Sequence, residues 1–214
     1  MSENYISFKK QYKKFNPKSL ELKAIQKKGK FHTCKISYDK KPMQIKLPPV
    51  ETSGIIKYKN NKGYGIIVPE LENTNVQEFL NDLHQTILKE IKKIEPVKTL
   101  DKDFMKEFQE KPNIPEVFNE RNGYEKSLLV TINPEMHKIY NLSHKKINVK
   151  DVPSRSGAKR QTHLALTISG LTIGPALEIG HAKYQVFLEM MCIDDKEVEK
   201  QPGDIFNDSD FEDE

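Results

Sequence analysis

Apolar residues recur at every second position over several stretches of this chain, at three- and four-residue spacing over another, and at no regular spacing near its two ends. Period two begins at residue 31, in Phe31-His-Thr-Cys-Lys-Ile-Ser-Tyr. It returns in Met43-Gln-Ile-Lys-Leu, with Pro42, Pro48 and Pro49 as breaks. Such alternation puts one set of side chains on one face of a strand. Ile55-Ile-Lys-Tyr-Lys, Asn60-Asn-Lys-Gly and Tyr64-Gly-Ile-Ile-Val read as two strands about a tight turn, because Asn and Gly tolerate the positive φ that the turn needs. Residues 127–132, 145–149, 163–173 and 183–193 read as further strands. Helical spacing appears from Val76 to Ile94, through Phe79, Leu80, Leu83, Ile87 and Ile91. Thr74 with Gln77 predicts a capping box at its start, and Pro96 predicts its end. A shorter helix is expected over Asp103 to Gln109, carrying Phe104, Met105 and Phe108 and stopped by Pro112 and Pro115. About seven strands and two helices predict an antiparallel barrel or sandwich with helical insertions.

Charge changes this picture at the ends. In Asp194 to Glu214 ten acidic residues face only Lys196 and Lys200, a net −8 within a chain whose total is +4. The remaining 193 residues therefore carry +12. A strongly basic body points to an anionic partner, and a solvated acidic block to an interaction tail or a competitor for the same site. Residues 1–30 are rich in Lys, with Tyr5, Phe8, Tyr12 and Phe15 interleaved and little periodicity, so a partly ordered basic arm is expected there. The predicted division is an arm at 1–30, a binding domain at 31–193 and a disordered acidic tail at 194–214. Hydrophobic content of 36% against 31% charged residues is thin for an enzyme, but the deficit sits at the ends and the middle can bury a core. No run of 18 apolar residues occurs, and the start lacks the apolar stretch of a signal peptide. An intracellular protein with no membrane partner is expected, in cytoplasm or nucleus. Cys34 and Cys192, the two cysteines, are expected to be buried thiols in strands.

Catalytic motifs are lacking. Gly63-Tyr-Gly-Ile-Ile-Val is followed by neither Lys-Ser/Thr nor a helix start, and His32 with Cys34 finds no second ligand pair for a tetrahedral metal site. No enzyme, metal or cofactor is expected. Binding chemistry is better supplied. Recognition of a single strand without sequence preference needs cations along the phosphates and flat side chains under the bases. The hairpin supplies both in Lys57, Tyr58, Lys59, Lys62 and Tyr64. Lys145 and Lys146, and Arg155, Lys159 and Arg160 in the basic loop between Asp151 and Gln161, form further clusters. Arginine occurs only at Arg121, Arg155 and Arg160, which suits backbone tracking by Lys more than bidentate base readout. In the tail, Phe206 and Phe211 are two hydrophobic anchors that a plain solubility segment would not need, and they are candidate partner contacts.

Taken in order, these parts resemble the single-stranded-DNA-binding proteins of large DNA viruses, related to the phage type with an OB-fold and an acidic, Phe-containing C-terminus. Pro42-Met-Gln-Ile-Lys-Leu-Pro-Pro looks like that family's strand ending at a proline, followed by a hairpin and a helix. Leu166-Thr-Ile-Ser-Gly-Leu, Gly180 and Lys183-Tyr-Gln-Val look like its last two strands. Where the family often has Trp in the closing strands, this chain has Tyr184 and no Trp at all. The resemblance implies an OB-fold-like antiparallel barrel of about five to seven strands with one long and one short helix inserted. It also implies non-catalytic coating of single-stranded DNA in replication or repair, and a tail that competes with DNA and recruits replication proteins. A homo-oligomer is compatible with it. An RNA-binding or nucleocapsid-like packaging protein would use the same Lys and aromatic chemistry, and a protein chaperone with an acidic tail is the further alternative.

Overall fold

The alternating run around His163 becomes the strand on which the fold is organised. Residues 6–8, 15–29, 31–57, 63–94, 102–121, 124–133, 138–152, 159–173 and 182–193 are described in the computed structural model of the chain. Among them, eight strands precede the helices: β1 Ile6–Ser7, β2 Leu20–Leu22, β3 Gln26–Lys28, β4 Phe31–Tyr38, β5 Met43–Lys46, β6 Val50–Thr52, β7 Ile55–Lys57 and β8 Tyr64–Pro69. Helices α1, Thr74–Ile91, and α2, Lys102–Glu110, come next. The strands β9 Asn119–Arg121, β10 Tyr124–Ile132, β11 Lys138–Asn141, β12 Arg160–Ile173 and β13 Lys183–Ile193 complete the order.

One edge of β12 takes three strands end to end. Gly170 to Ile173 pair with Lys35 to His32 of β4, Ala165 to Ile168 with Lys46 to Met43 of β5, and Arg160 to Thr162 with Thr52 to Val50 of β6. Its other edge pairs with β13 from Thr162 to Thr172. Beyond β13 lie β10 and β11, and beyond β10 lie β8 and then β7. The core requires this continuity. Leu166, Ile168, Val186, Leu188, Val130, Ile66 and Ile45 come from successive strands, and each is at most 5% exposed.

The strand and helix content matches the mainly β expectation, and two features differ from it. First, the sheet is mixed rather than antiparallel: β10 and β11 both run parallel to β13, and β1 runs parallel to β5. Alternation in sequence marks a strand's two faces but carries no information on its neighbour's direction. Second, thirteen strands join one sheet whose path runs from β1 to β7, and those ends do not pair, so the barrel is not closed. The sheet nonetheless curls until β6 lies beside β8 with no ladder between them.

Local differences have local causes. Lys145 to Val149, expected as a strand, holds one bridge from Lys146 to Tyr140 and then a 3-10 turn at Val149–Asp151, because Asn148 caps that turn by accepting from the Lys150 N–H at 3.0 Å. The strand in this region is β11, seven residues earlier. Helix α1 is capped by Asn73 rather than Thr74. The Asn73 side chain accepts from the Val76 N–H at 3.2 Å, and Gln77 donates instead to the Leu71 carbonyl at 2.9 Å. Its C-terminus comes at Ile91, before Ile94. The freed carbonyls of Ile91 and Ile94 accept from the Gln109 side chain of α2, at 3.4 and 2.6 Å.

The segment expected as an arm is joined to the body. Strands β2 and β3 pair with β4, Leu20 and Ile25 are buried, and Phe8 and Phe15 meet Phe79 of α1 edge-on at ring distances of 5.4 and 5.2 Å. The boundary at residue 31 therefore falls inside a three-stranded unit. All of the acidic tail lies outside the described residues.

Candidate nucleic-acid interface

The expected hairpin forms, with Ile55 opposite Ile66, Ile56 opposite Gly65 and Lys57 opposite Tyr64. Its turn, with Tyr58, Lys59 and Lys62, lies outside the described residues. At its base Lys57 is exposed, while Tyr64 is half-buried and packs against the core, also pairing with the buried Ile132. Tyr64 thus serves packing.

The other expected cations gather where β11, β12 and β13 meet. Asn141 pairs with Ile193, and Ile193 pairs with Thr162, which places the loop after β11 two strands from the start of β12. Lys145 is held there twice: its N–H donates to the Asn141 side chain at 2.9 Å, and its carbonyl accepts from the Asn141 N–H at 3.0 Å. His144 takes φ of 59° to make this bend. Lys145, Lys146 and Lys159 are all exposed. Arg160 is not. Expected on an open loop, it is instead the first residue of β12 and only 2% exposed, beside Thr52. Its neighbours Thr52 and Thr162 share a buried hydroxyl hydrogen bond of 2.9 Å. No buried side-chain nitrogen or oxygen among the described residues lacks a partner. Arg155 lies outside the described residues, as do Phe206 and Phe211.

Tyr184, which stands where the resembling family often has Trp, faces the core side of the sheet. Its hydroxyl meets His84 Nδ1 of α1 at 3.0 Å, and burial raises its pKa, with Glu116 adding in the same direction. Burial lowers the pKa of His84, against the opposing pull of Glu116, so a neutral imidazole bridges helix to strand. The pair is a strut. Cys34 is fully buried, donates to the Lys23 carbonyl at 3.1 Å and has its pKa pushed up by burial to about 12. Cys192 is half-buried rather than buried, and its thiol donates to the Asn141 carbonyl at 3.3 Å. No group of three His, Cys, Asp or Glu able to hold a metal occurs among the described residues, and no described helix is long and apolar enough to cross a membrane.

What sequence reasoning missed is the outer face of β12 and β13, opposite the core. There the Thr167 hydroxyl donates to Glu189 at 2.5 Å, the Gln185 amide donates to the Thr172 hydroxyl at 2.5 Å, and the Ser169 hydroxyl donates to Gln185 at 3.4 Å. The signal was present in the alternation itself, since every second residue of a half-buried strand belongs to its open face. A scan against protein-family models and a search of curated proteins returned no match.

Proposed function

We propose that this chain is a non-catalytic, sequence-tolerant single-stranded nucleic-acid-binding protein that favours DNA over RNA and acts in replication or repair. One observation carries the reading: the exposed lysines of two separate loops, Lys145 and Lys146 after β11 and Lys159 before β12, are collected at one end of a curved sheet on a body of net +12. Phosphate neutralisation by such cations is independent of base sequence and supplies most of the affinity of a non-specific binder. The curl that brings β6 beside β8 supports an OB-like relationship, in which a strongly bent sheet presents its outside to a strand of nucleic acid. In this reading the acidic tail competes with the nucleic acid for the basic body, and Phe206 and Phe211 contact replication partners.

Titration of labelled oligo-dT, oligo-rU and a duplex of equal length tests the function. Tightest binding to oligo-dT, with affinity falling steeply and linearly in log salt, is the expected result. Equal or tighter binding to oligo-rU would reassign the chain to RNA, and preference for the duplex would refute the single-strand reading.

A further inference from the structure

Strand registers determine which side chains share the outer face of the sheet. Lys28 pairs with Phe31, Thr33 with Thr172, Gln44 with Thr167, and Thr167 with Phe187. Further along, His163 pairs with Cys192 and Cys192 with Tyr140. The residues alternating with these on β4, β5 and β13, among them Cys34, Ile36, Met43, Ile45, Val186 and Leu188, are buried in the core. Three aromatic rings therefore belong to the outer face in one row, Phe31 exposed and Phe187 and Tyr140 half-buried. Phe31 is at one end, Phe187 is in the middle, and Tyr140 is at the end where Lys145 and Lys146 lie. The row follows β12 for about eleven residue positions, or about 35 Å at the rise of a strand.

Phe31 is 47% exposed at the start of β4, across from Lys28 in a hairpin that turns at Gly29, whose φ is 64°. Between the rings stand Lys35 beside Gly170, Lys46 beside Ala165 and Lys138 beside Met190, all exposed. Carboxylates on this face include Glu21 opposite Ser37, Glu51 at the far end, and Glu189, which already accepts the Thr167 hydroxyl. Charge and composition select the occupant. The centre of a protein–protein interface is depleted in lysine, whereas here the rings alternate with Lys35, Lys46 and Lys138, and Phe187 lies between Thr167 and Thr131. Flat rings set apart by hydroxyls, amides and lysines suit unpaired bases and their phosphates.

We propose that a single strand of nucleic acid lies along this outer face, parallel to β12, with bases stacked on Phe31, Phe187 and Tyr140 and phosphates beside Lys35, Lys46 and Lys138. The assignment rests on the single-strand reading above and adds to it the surface, the stacking residues and the direction of the track.

The test uses the full chain, oligo-dT and fluorescence anisotropy across a salt series, together with photocross-linking of iododeoxyuridine-substituted oligo-dT and peptide mapping. Phe31→Ala removes an exposed ring and is expected to weaken binding about tenfold with an unchanged melting temperature. The pair Lys35→Gln and Lys46→Gln is expected to flatten the slope of log affinity against log salt by about 1.4, two phosphates at about 0.7 each. Cross-links are expected at Phe31, Phe187 or Tyr140. Wild-type binding with both variants unchanged and cross-links confined elsewhere overturns the track and leaves the single-strand reading intact. Absence of wild-type binding removes that reading itself. A self-association in sedimentation that Phe31→Ala abolishes would assign the face to a second copy of the chain and also overturn the proposal.

Discussion

A methyl group placed on Gly170 would overlap the carbonyl oxygen of Cys34, with the Cys34 carbonyl carbon and the Lys35 Cα each 3.2 Å away. The obstacles are backbone atoms of β4, so no rotamer change relieves them. Here β12 leaves its regular register with β13, between Ile168 and Gly170, and presses against β4. Glycine is what allows the two backbones to approach. Gly170→Ala is therefore expected to destabilise the protein by about 3 kcal/mol or more, at the upper end of what overpacking costs. The same substitution at Gly29 meets nothing within 4 Å and bears only the strain of its positive φ, about 1–2 kcal/mol. Chemical denaturation of the two variants checks the order, and equal losses would mean that β4 can move aside.

At the scale of elements, legibility followed how far a signal was local. The four-residue spacing through Phe79, Leu83 and Ile87 makes α1 readable because the helix buries one stripe, and the Asn-Gly chemistry near residue 60 marks the β7–β8 hairpin. Strand β11 was missed because it has four residues, of which only Ile139 is fully buried, too few for alternation to register. Arg160 read as a loop cation because nothing in its neighbours announces that Thr52, more than a hundred residues earlier, will cover it. The N-terminal strands were missed for a related reason. Leu20 and Ile25 are separated by charged residues, and their burial depends on β4 and α1, which come later in the chain. Deleting residues 1–30 should consequently damage the fold and not merely trim a binding arm. It removes both strands that pair with this part of β4 and uncovers Phe79, and losing contacts of that kind costs several kcal/mol. Loss of the cooperative thermal transition by circular dichroism is the expected outcome. A truncated chain that melts like the full one, with weakened nucleic-acid binding, would restore the view of a separate arm.

At the scale of the whole molecule, two opposed charges meet at one place. Strand β13 ends at Ile193, beside Asn141 and Thr162 and next to the loops that expose Lys145, Lys146 and Lys159, and the net −8 segment starts at the following residue. Twenty-one residues can extend up to about 70 Å, roughly one and a half times the length of β12. Every lysine on the outer face is therefore within reach, and a tethered anion is present at high effective concentration whatever the protein concentration. Removing Asp194 to Glu214 should raise affinity for oligo-dT about tenfold in 10 mM salt. The gain should vanish toward 1 M, where the screening length has fallen from about 30 Å to about 3 Å. A competing tail also hides part of the salt dependence, because added salt weakens the competitor together with the nucleic acid. The truncated protein is thus expected to show the steeper slope as well as the tighter binding. If truncation tightens binding equally at every salt concentration, the tail acts by blocking the site through Phe206 and Phe211 and not by charge; if it changes nothing at 10 mM, tail and nucleic acid do not share a surface.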